Sequence, residues 1–135
     1  LRCFSVSLES IQNALNQWNL TNVNRLEINR MASSKKIDRL RSISDDTTML
    51  KLSEIFLVNS GLEELGERSL DGFDYNELES IDLSWNELTQ VPQVVLKLGK
   101  LRHLDLSHKK IFSLPPGSSC NNLNALATLK LSGTK

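Results

Sequence analysis

Between Leu78 and Pro115 the chain repeats one arrangement of hydrophobic and polar positions. The copy that starts at Leu101 lies 23 residues after the copy that starts at Leu78, and both place large apolar residues at the same five positions. The matching residues are Leu78, Ile81, Leu83, Leu88 and Val91 in the first copy and Leu101, Leu104, Leu106, Ile111 and Leu114 in the second. A proline follows each set, at Pro92 and Pro115. Repetition at a fixed period indicates an array of stacked structural units.

Each copy predicts a short, half-buried strand. The alternation of Ile81, Asp82 and Leu83 sends apolar side chains to one face and polar side chains to the other. The rest of the unit must return the chain so that the next strand can start beside the first. A single unit cannot bury its own apolar face, whereas stacked units share one continuous core.

The pattern extends less regularly to both sides of these copies. The unit that starts at Leu52 is 26 residues long, a weaker first strand starts at Val23, and Leu126 opens a last one. We therefore expect a repeat region over residues 23–135, with units that start near residues 23, 52, 78, 101 and 126. Because the pattern stops within a unit at Lys135, we expect the chain to be a fragment of a longer repeat domain.

Residues 1–22 predict an N-terminal cap built on an amphipathic helix. Leu8, Ile11, Leu15 and Trp18 are spaced by three and four residues, as on one face of a helix, and Ser7 suits the N-cap position. Such a helix covers the apolar end of a stack that would otherwise face water.

The L-x-x-L-x-L core and its period resemble the leucine-rich repeat family. The resemblance implies an α/β solenoid with right-handed coils, a short parallel β-sheet on the concave face, an irregular or helical convex side, an N-terminal helical cap and a missing C-terminal cap. The family carries Asn at the ninth position of each repeat, where its amide bonds to the backbone of neighbouring coils. Here Asn86 occupies that position, and Ser60, Lys109 and Thr134 replace it elsewhere. Serine can substitute only in part, because a hydroxyl has fewer donors than an amide.

Two resemblances bear on the compartment. The 23-residue copy with its L-x-x-V-P turn resembles cytosolic repeats of the Ras-signalling type, whereas the longer coils resemble the extracellular type. Cys3 ahead of the helix also resembles the N-terminal cap of secreted arthropod leucine-rich repeat proteins, such as the non-catalytic subunit of shrimp luciferase. Asn19 opens an N-glycosylation triplet, Asn-Leu-Thr. We expect a secreted or extracellular glycoprotein, with a cytoplasmic protein as the alternative.

The net charge and the lack of long apolar runs limit the classes of partner that the chain can bind. The 16 basic and 16 acidic residues give no net charge, so no overall field attracts nucleic acid or an anionic membrane. No apolar run reaches the roughly 18 residues that a membrane span needs.

Cys3 and Cys120 lie at opposite ends of the predicted stack, too far apart for a disulfide. Cys120 falls on a return path, and we expect it to be a small buried hydrophobic residue.

The sequence contains no catalytic or nucleotide-binding motif. Asp82 and Asp105 occupy equivalent outward positions on adjacent strands, so their carboxylates should lie about 5 Å apart. That spacing also suits the carboxylate pair of a retaining glycosidase or a cation that bridges the two groups. However, the strand register of a solenoid brings any two equivalent outward residues this close, so the spacing alone does not indicate a function. His103, His108 and Cys120 lie at different places in their units and cannot converge on zinc. We expect no enzyme activity and no cofactor.

The outward strand positions define three columns across the predicted sheet. The first column is Glu27, Phe56, Asp82, Asp105 and Lys130; the second is Arg25, Glu54, Ser80, His103 and Thr128; the third, at the strand ends, is Arg30, Asn59, Trp85, His108 and Gly133. Exposed aromatic side chains are typical anchors of protein interfaces. Trp85 is either such an anchor or folds over a neighbouring coil or His108. The candidate binding residues are Phe56, Val58, Asp82, Trp85, His103, Asp105 and His108.

We therefore predict a binding module that contacts a protein partner, not nucleic acid or a membrane, through its concave face. Solenoids present broad curved surfaces that suit recognition better than turnover. A cytosolic signalling scaffold and a non-catalytic subunit of an enzyme complex are the alternatives.

Overall fold

The computed structural model describes residues 1–17, 20, 22–31, 35–40, 49–108, 113–131 and 133. These residues include one helix, α1, at Leu8–Gln17. The strands are β1 (Arg2–Phe4), β2 (Arg25–Asn29), β3 (Lys36–Ile37), β4 (Glu54–Val58), β5 (Glu64–Leu65), β6 (Ser80–Asp82), β7 (His103–Asp105) and β8 (Thr128–Lys130). Short 3-10 helices follow on the return paths at Val95–Lys97 and Cys120–Asn122.

Six of these strands form one parallel sheet in the order β1-β2-β4-β6-β7-β8. The inward residues lie in register, with Leu26 opposite Ile55, Ile55 opposite Ile81, and Ile81 opposite Leu104. The predicted parallel sheet of an α/β fold is therefore present, and the L-x-L alternation sets which side chains face inward.

The core runs continuously along the stack. Its buried strand residues are Leu26, Ile28, Ile55, Leu57, Ile81, Leu83, Leu104 and Leu106. Leu70 and Phe73 fill the return path between β5 and β6, and Val94 and Leu98 fill the next one. On the other side of β7, Leu129 is 49 % exposed, because no further described strand packs against β8. Each coil is thus buried by its neighbours.

The sheet begins one strand earlier than the alternation pattern predicts. In β1, Cys3 pairs with Ile28, and the backbone of Leu1 and Ser5 bonds to β2 on either side of this pair. The segment carries only one inward side chain and so lacks the L-x-L signature. Strand β1 forms because β2 offers it unpaired backbone donors and acceptors.

Helix α1 follows β1 and packs against the same core. The hydroxyl oxygen of Ser7 accepts a hydrogen bond from the backbone N–H of Ser10 at 3.1 Å, which is an N-cap interaction. Ile11 and Leu15 are buried, so the apolar face of the helix points inward. The predicted continuation of the helix to Trp18 lies outside the described residues.

The side chain of Asn86 ties its coil to the preceding one. Its amide nitrogen donates to the carbonyls of Leu57 at 2.6 Å and Leu83 at 2.9 Å. Its carboxamide oxygen accepts from the backbone N–H groups of Ser60 at 2.9 Å and Leu62 at 3.2 Å. These bonds satisfy buried groups at a turn where the strand pairing has ended. The predicted role of the ninth-position Asn is confirmed.

Ser60 performs part of the same task one coil earlier. Its hydroxyl accepts from the backbone N–H of Met31 at 3.1 Å and donates to the carbonyl of Val58 at 3.1 Å. The hydroxyl therefore makes one bond between coils, as expected for a partial substitute. Lys109 and Thr134, the remaining replacements, lie outside the described residues.

A second, two-stranded sheet on the return path was not apparent from the sequence. Strands β3 and β5 pair in parallel, with Lys36 opposite Glu64 and Ile37 opposite Leu65. The Lys35 ammonium lies 2.6 Å from the Glu63 carboxylate, and this hydrogen bond raises the pKa of Lys35 above its ordinary value. Paired charges thus line this edge of the stack.

The expectation that Cys120 is buried is wrong. Cys120 is an exposed free thiol on a 3-10 helix that contributes no buried residue. The return path from β7 to β8 has a described coil on one side only, so its side chains lack the second neighbour that burial requires. Cys3, half-buried on β1, is also a free thiol.

Replacing Asn86 with alanine should destabilise the protein by about 3 kcal/mol, because the buried N–H groups of Ser60 and Leu62 lose their acceptor. Ser60→Ala should cost about 1 kcal/mol for its single bond between coils. Urea unfolding followed by circular dichroism measures both changes.

The exposed Asn76 provides the matched control, since Asn76→Ala removes an amide of the same size from the surface. Equal unfolding midpoints for Asn86→Ala and Asn76→Ala would show that the Asn86 bonds do not hold the coils together.

Candidate functional site

The register of the sheet builds the outward columns that the sequence predicts. Across successive strands Glu27 pairs with Phe56, Phe56 with Asp82, Asp82 with Asp105, and Asp105 with Lys130. Arg2 on β1 adds one residue to this first column. The second column is Arg25, Glu54, Ser80, His103 and Thr128. We call this exposed side the outer sheet face.

A left-handed backbone conformation recurs where each coil leaves the sheet. The φ angles are 59° at Arg30, 51° at Asn59, 58° at Trp85 and 58° at His108, and 85° at Gly133. The N–H of Trp85 donates to the carbonyl of Ser107 at 3.2 Å, and the N–H of Asn59 donates likewise to Ser84 at 3.1 Å. Identical turns in register place these side chains in one column. Conformations of this kind are uncommon for residues other than glycine, so the surrounding bonds must hold them.

The side chains of Trp85 and His108 stack within this column. Their ring centroids are 3.7 Å apart and their planes differ by 14°. Trp85 nevertheless remains 56 % exposed. The ring of Trp85 is therefore folded onto His108 and still exposed, and its role as an anchor stays a prediction. We call this pair the aromatic stack.

Gly133 supports the aromatic stack from the far side. A Cβ atom at position 133 would lie 2.7 Å from Nδ1 of His108, a distance that real Cβ contacts essentially never show, and 3.1 Å from Cε1, which is tighter than most such contacts. The imidazole of His108 thus lies between the Trp85 ring and a backbone that only glycine supplies without displacement. Residues of three successive coils thus contribute to the aromatic stack and its surroundings.

The carboxylates of Asp82 and Asp105 hold the two turns that present the stack. Oδ1 of Asp82 accepts from the backbone N–H of Ser84 at 2.8 Å, and Oδ1 of Asp105 accepts from Ser107 at 2.9 Å. The repeated Asp-Leu-Ser triplet is the sequence signal for this arrangement, because Asp side chains commonly bond to the backbone two residues on. Both carboxylates therefore have a structural partner.

The environment of Asp105 favours its ionised form. Burial raises the pKa of the Asp105 carboxyl, but hydrogen bonds from the Ser107 side chain and backbone and the charge of Lys130 together outweigh burial. The net pKa lies below its ordinary value. A carboxylate of this kind stabilises the fold above its unfolded pKa and loses that contribution as the pH falls through its folded pKa.

A shallow depression of about 260 Å³ lies on the outer sheet face between β4 and β8. Four predicted residues, Phe56, Asp82, His103 and Asp105, line it together with Ser80, Thr128 and Lys130. Trp85 and His108 do not line it and lie at the strand ends of the same two coils. Lys130, whose ammonium lies 3.4 Å from Asp105, was not among the predicted residues although its column position indicated it.

Phe56 and Val58 are less exposed than the pattern predicts. Both are half-buried, and the guanidinium carbon of Arg25 lies 4.2 Å from the centroid of the Phe56 ring. Arg25 also pairs with Glu27 and with Glu54, each at 3.2 Å. Sequence reasoning missed this role of Arg25, because two of its three contacts, Glu54 and Phe56, lie on the neighbouring strand β4.

Among the residues that the structure describes, no three His, Cys, Asp or Glu side chains lie close enough together to hold a metal ion. Within the same residues, no helix is both long and apolar enough to cross a bilayer.

Stacked coils, a parallel sheet and a bridging Asn define a repeat protein with one open sheet face. Residues 76–135 match the leucine-rich repeat family. The chain belongs to this family.

The similar curated proteins are much longer than this chain. Toll-like receptor 10 of Bos taurus is 37 % identical over 93 residues, which cover 68 % of this chain and 11 % of the receptor. Tsukushi of Gallus gallus is 34 % identical over 91 residues, covering 67 % of this chain and 23 % of Tsukushi. Tsukushi-A of Xenopus laevis is 35 % identical over 95 residues, covering 70 % of this chain and 25 % of that protein. The chain thus spans a quarter or less of each relative. No solved structure matches it significantly.

Gly133→Ala should displace His108 and separate the aromatic stack, because the added methyl would overlap the imidazole. The ring-current shifts of the His108 protons in NMR spectra report the stack, and we expect them to fall toward unstacked values.

Gly117→Ala is the matched control. Gly117 also has a positive φ, 72°, but a Cβ there meets nothing within 4 Å. If both variants leave the His108 shifts unchanged, Gly133 does not position the stack.

Proposed function

We propose that this chain is a protein-binding module whose outer sheet face contacts the partner. The observation that carries the proposal is the aromatic stack, in which Trp85 is 56 % exposed although it is already packed on His108. A large aromatic ring held on the surface is typical of an interface anchor.

We propose that the packing of the aromatic stack favours binding. Ordering a side chain on association costs free energy, and a ring that is already fixed avoids most of that cost. Trp85 is fixed by its backbone bond to Ser107, by its stack on His108 and, through His108, by Gly133. The anchor is therefore organised before a partner arrives.

We propose that the contact area extends from the stack across the depression. Asp82, His103 and Asp105 supply polar and charged groups beside Trp85 and His108, and Phe56 and Val58 form a half-buried border. In a right-handed leucine-rich repeat solenoid this sheet lies on the concave side, with α1 as the N-terminal cap. The face then offers a curved surface to a protein.

Binding fits the two strand carboxylates better than catalysis does. Asp82 and Asp105 each accept a hydrogen bond from the turn that they support. These bonds hold the presenting turns in place, whereas a catalytic pair requires carboxylates directed at a reacting bond. We therefore propose no enzymatic role.

We propose an extracellular setting for the protein. The longer coils resemble the extracellular type of repeat, and one similar protein is named a receptor. Asn19 lies outside the described residues, and its Asn-Leu-Thr triplet would carry a glycan in such a setting.

A photo-crosslinking side chain at Thr128, on the outer sheet face, should form an adduct with the native partner in material from the source cells. The same group at Met49, which is exposed outside that face, should not. Trp85→Ala should lower the Thr128 adduct by about tenfold or more, because the anchor is lost. Gel analysis and mass spectrometry quantify the adducts, and circular dichroism checks the fold.

Equal adducts from Thr128 and Met49 would place binding elsewhere. An unchanged Thr128 adduct in Trp85→Ala would show that the stack is not the anchor.

Peptide mapping of the native protein by mass spectrometry should find a glycan on Asn19, since the triplet meets the glycosylation machinery only on the secretory route. Treatment with an N-glycosidase should remove the added mass. An unmodified Asn19 in all native material would favour the cytoplasmic alternative.

A further inference from the structure

Charges on the outer sheet face are balanced differently in its two halves. On β2 and β4, every outward carboxylate has a cationic partner: Glu27 pairs with Arg2 at 3.0 Å and with Arg25 at 3.2 Å, and Glu54 pairs with Arg25 at 3.2 Å. On β6 and β7, only one of the two outward carboxylates has a cationic partner among the described residues. Asp105 lies 3.4 Å from Lys130, whereas Asp82 has no cation within ion-pair distance among the described residues.

Arg25 shows how this face accommodates a guanidinium group. One side chain covers the ring of Phe56 at 4.2 Å and pairs with carboxylates on two neighbouring strands. The guanidinium is suited to this because it is planar, weakly hydrated, stacks on aromatic rings and pairs with carboxylates. In the first half of the face, the chain thus supplies its own arginine.

The second half has the same kinds of groups without the arginine. Asp82 and Asp105 are register partners in the depression, and the aromatic stack lies three residues further along the same coils. Lys130 offsets the charge of Asp105 alone. The described groups in the depression therefore leave one unbalanced negative charge beside an exposed aromatic surface.

We propose that the partner presents an arginine side chain to this depression and that the guanidinium pairs with Asp82. This inference rests on the proposed function, since it specifies the chemistry of the segment that covers the outer sheet face. The arginine of the partner would pair with Asp82 in the same way that Arg25 of this chain pairs with Glu54. The residues that flank the arginine in the partner pack on Trp85. The partner is thus a basic peptide segment of another protein.

The probe is a pair of short synthetic peptides that differ at one position, arginine in one and citrulline in the other. Citrulline keeps the shape of arginine but carries no charge. Both peptides carry a leucine beside that position and are titrated into isotope-labelled protein at low salt. NMR follows the backbone amides of Asp82 and Ser84 and the Trp85 indole N–H, which Trp85→Phe assigns.

We expect the arginine peptide to shift these signals and to bind about tenfold more tightly than the citrulline peptide. Asp82→Asn should remove that difference while keeping the bond from Ser84, because a carboxamide oxygen still accepts. Glu77→Gln, which neutralises an exposed carboxylate outside the depression, should bind like the wild type.

Equal binding of both peptides, no binding of the arginine peptide, or an undiminished preference in Asp82→Asn would each overturn the inference. The proposed function fails separately. If the arginine peptide does not bind but the Thr128 adduct still depends on Trp85, the face binds a partner of other chemistry. If that dependence is also absent, the proposed function fails as well.

Discussion

A strand that supplies only one or two inward side chains is stable only beside a neighbouring strand, and this constraint governs the whole sheet. The inward residues of adjacent strands lie opposite one another, so one register aligns every coil. The same register aligns what points outward. A surface column is therefore a by-product of core packing, and its chemistry can vary without changing the fold.

The turns at the strand ends show how residues that vary on the surface can form a candidate binding site. Each turn uses a left-handed residue, and Asn86 satisfies the buried backbone beside one of them through bonds to the previous coil. Because the same left-handed conformation recurs in each turn, the side chains at this position leave the backbone in a similar direction. Trp85 and His108 use that direction to stack, and Gly133 leaves space for them. The anchor and the coil-to-coil bonds thus share one structural basis.

Charge adds a second level of organisation to the outer sheet face. Arg25 joins three outward residues of β2 and β4 into one compensated group, whereas Asp82 remains without such a partner among the described residues. Buried apolar layers beneath the two halves are alike, so the difference lies only in outward positions. A few residues supply most of the binding energy of an interface. An exposed Trp beside a carboxylate without a cationic partner is suited to this role, because the ring supplies apolar contact and the carboxylate supplies charge complementarity.

The sequence alone determined the repeat period, the inward strand residues and the outward columns, because side-chain alternation is a property of each coil. The resemblance to the leucine-rich repeat family added the role of Asn86, whose hydrogen bonds reach the preceding coil. It did not show β1, the exposure of Cys120 or the contact of Arg25 with Phe56. Only the tertiary structure decided these features, since each depends on what the neighbouring coil offers. An edge strand forms on unpaired backbone groups, burial needs a coil on both sides, and a stack such as Trp85 on His108 needs two turns in register.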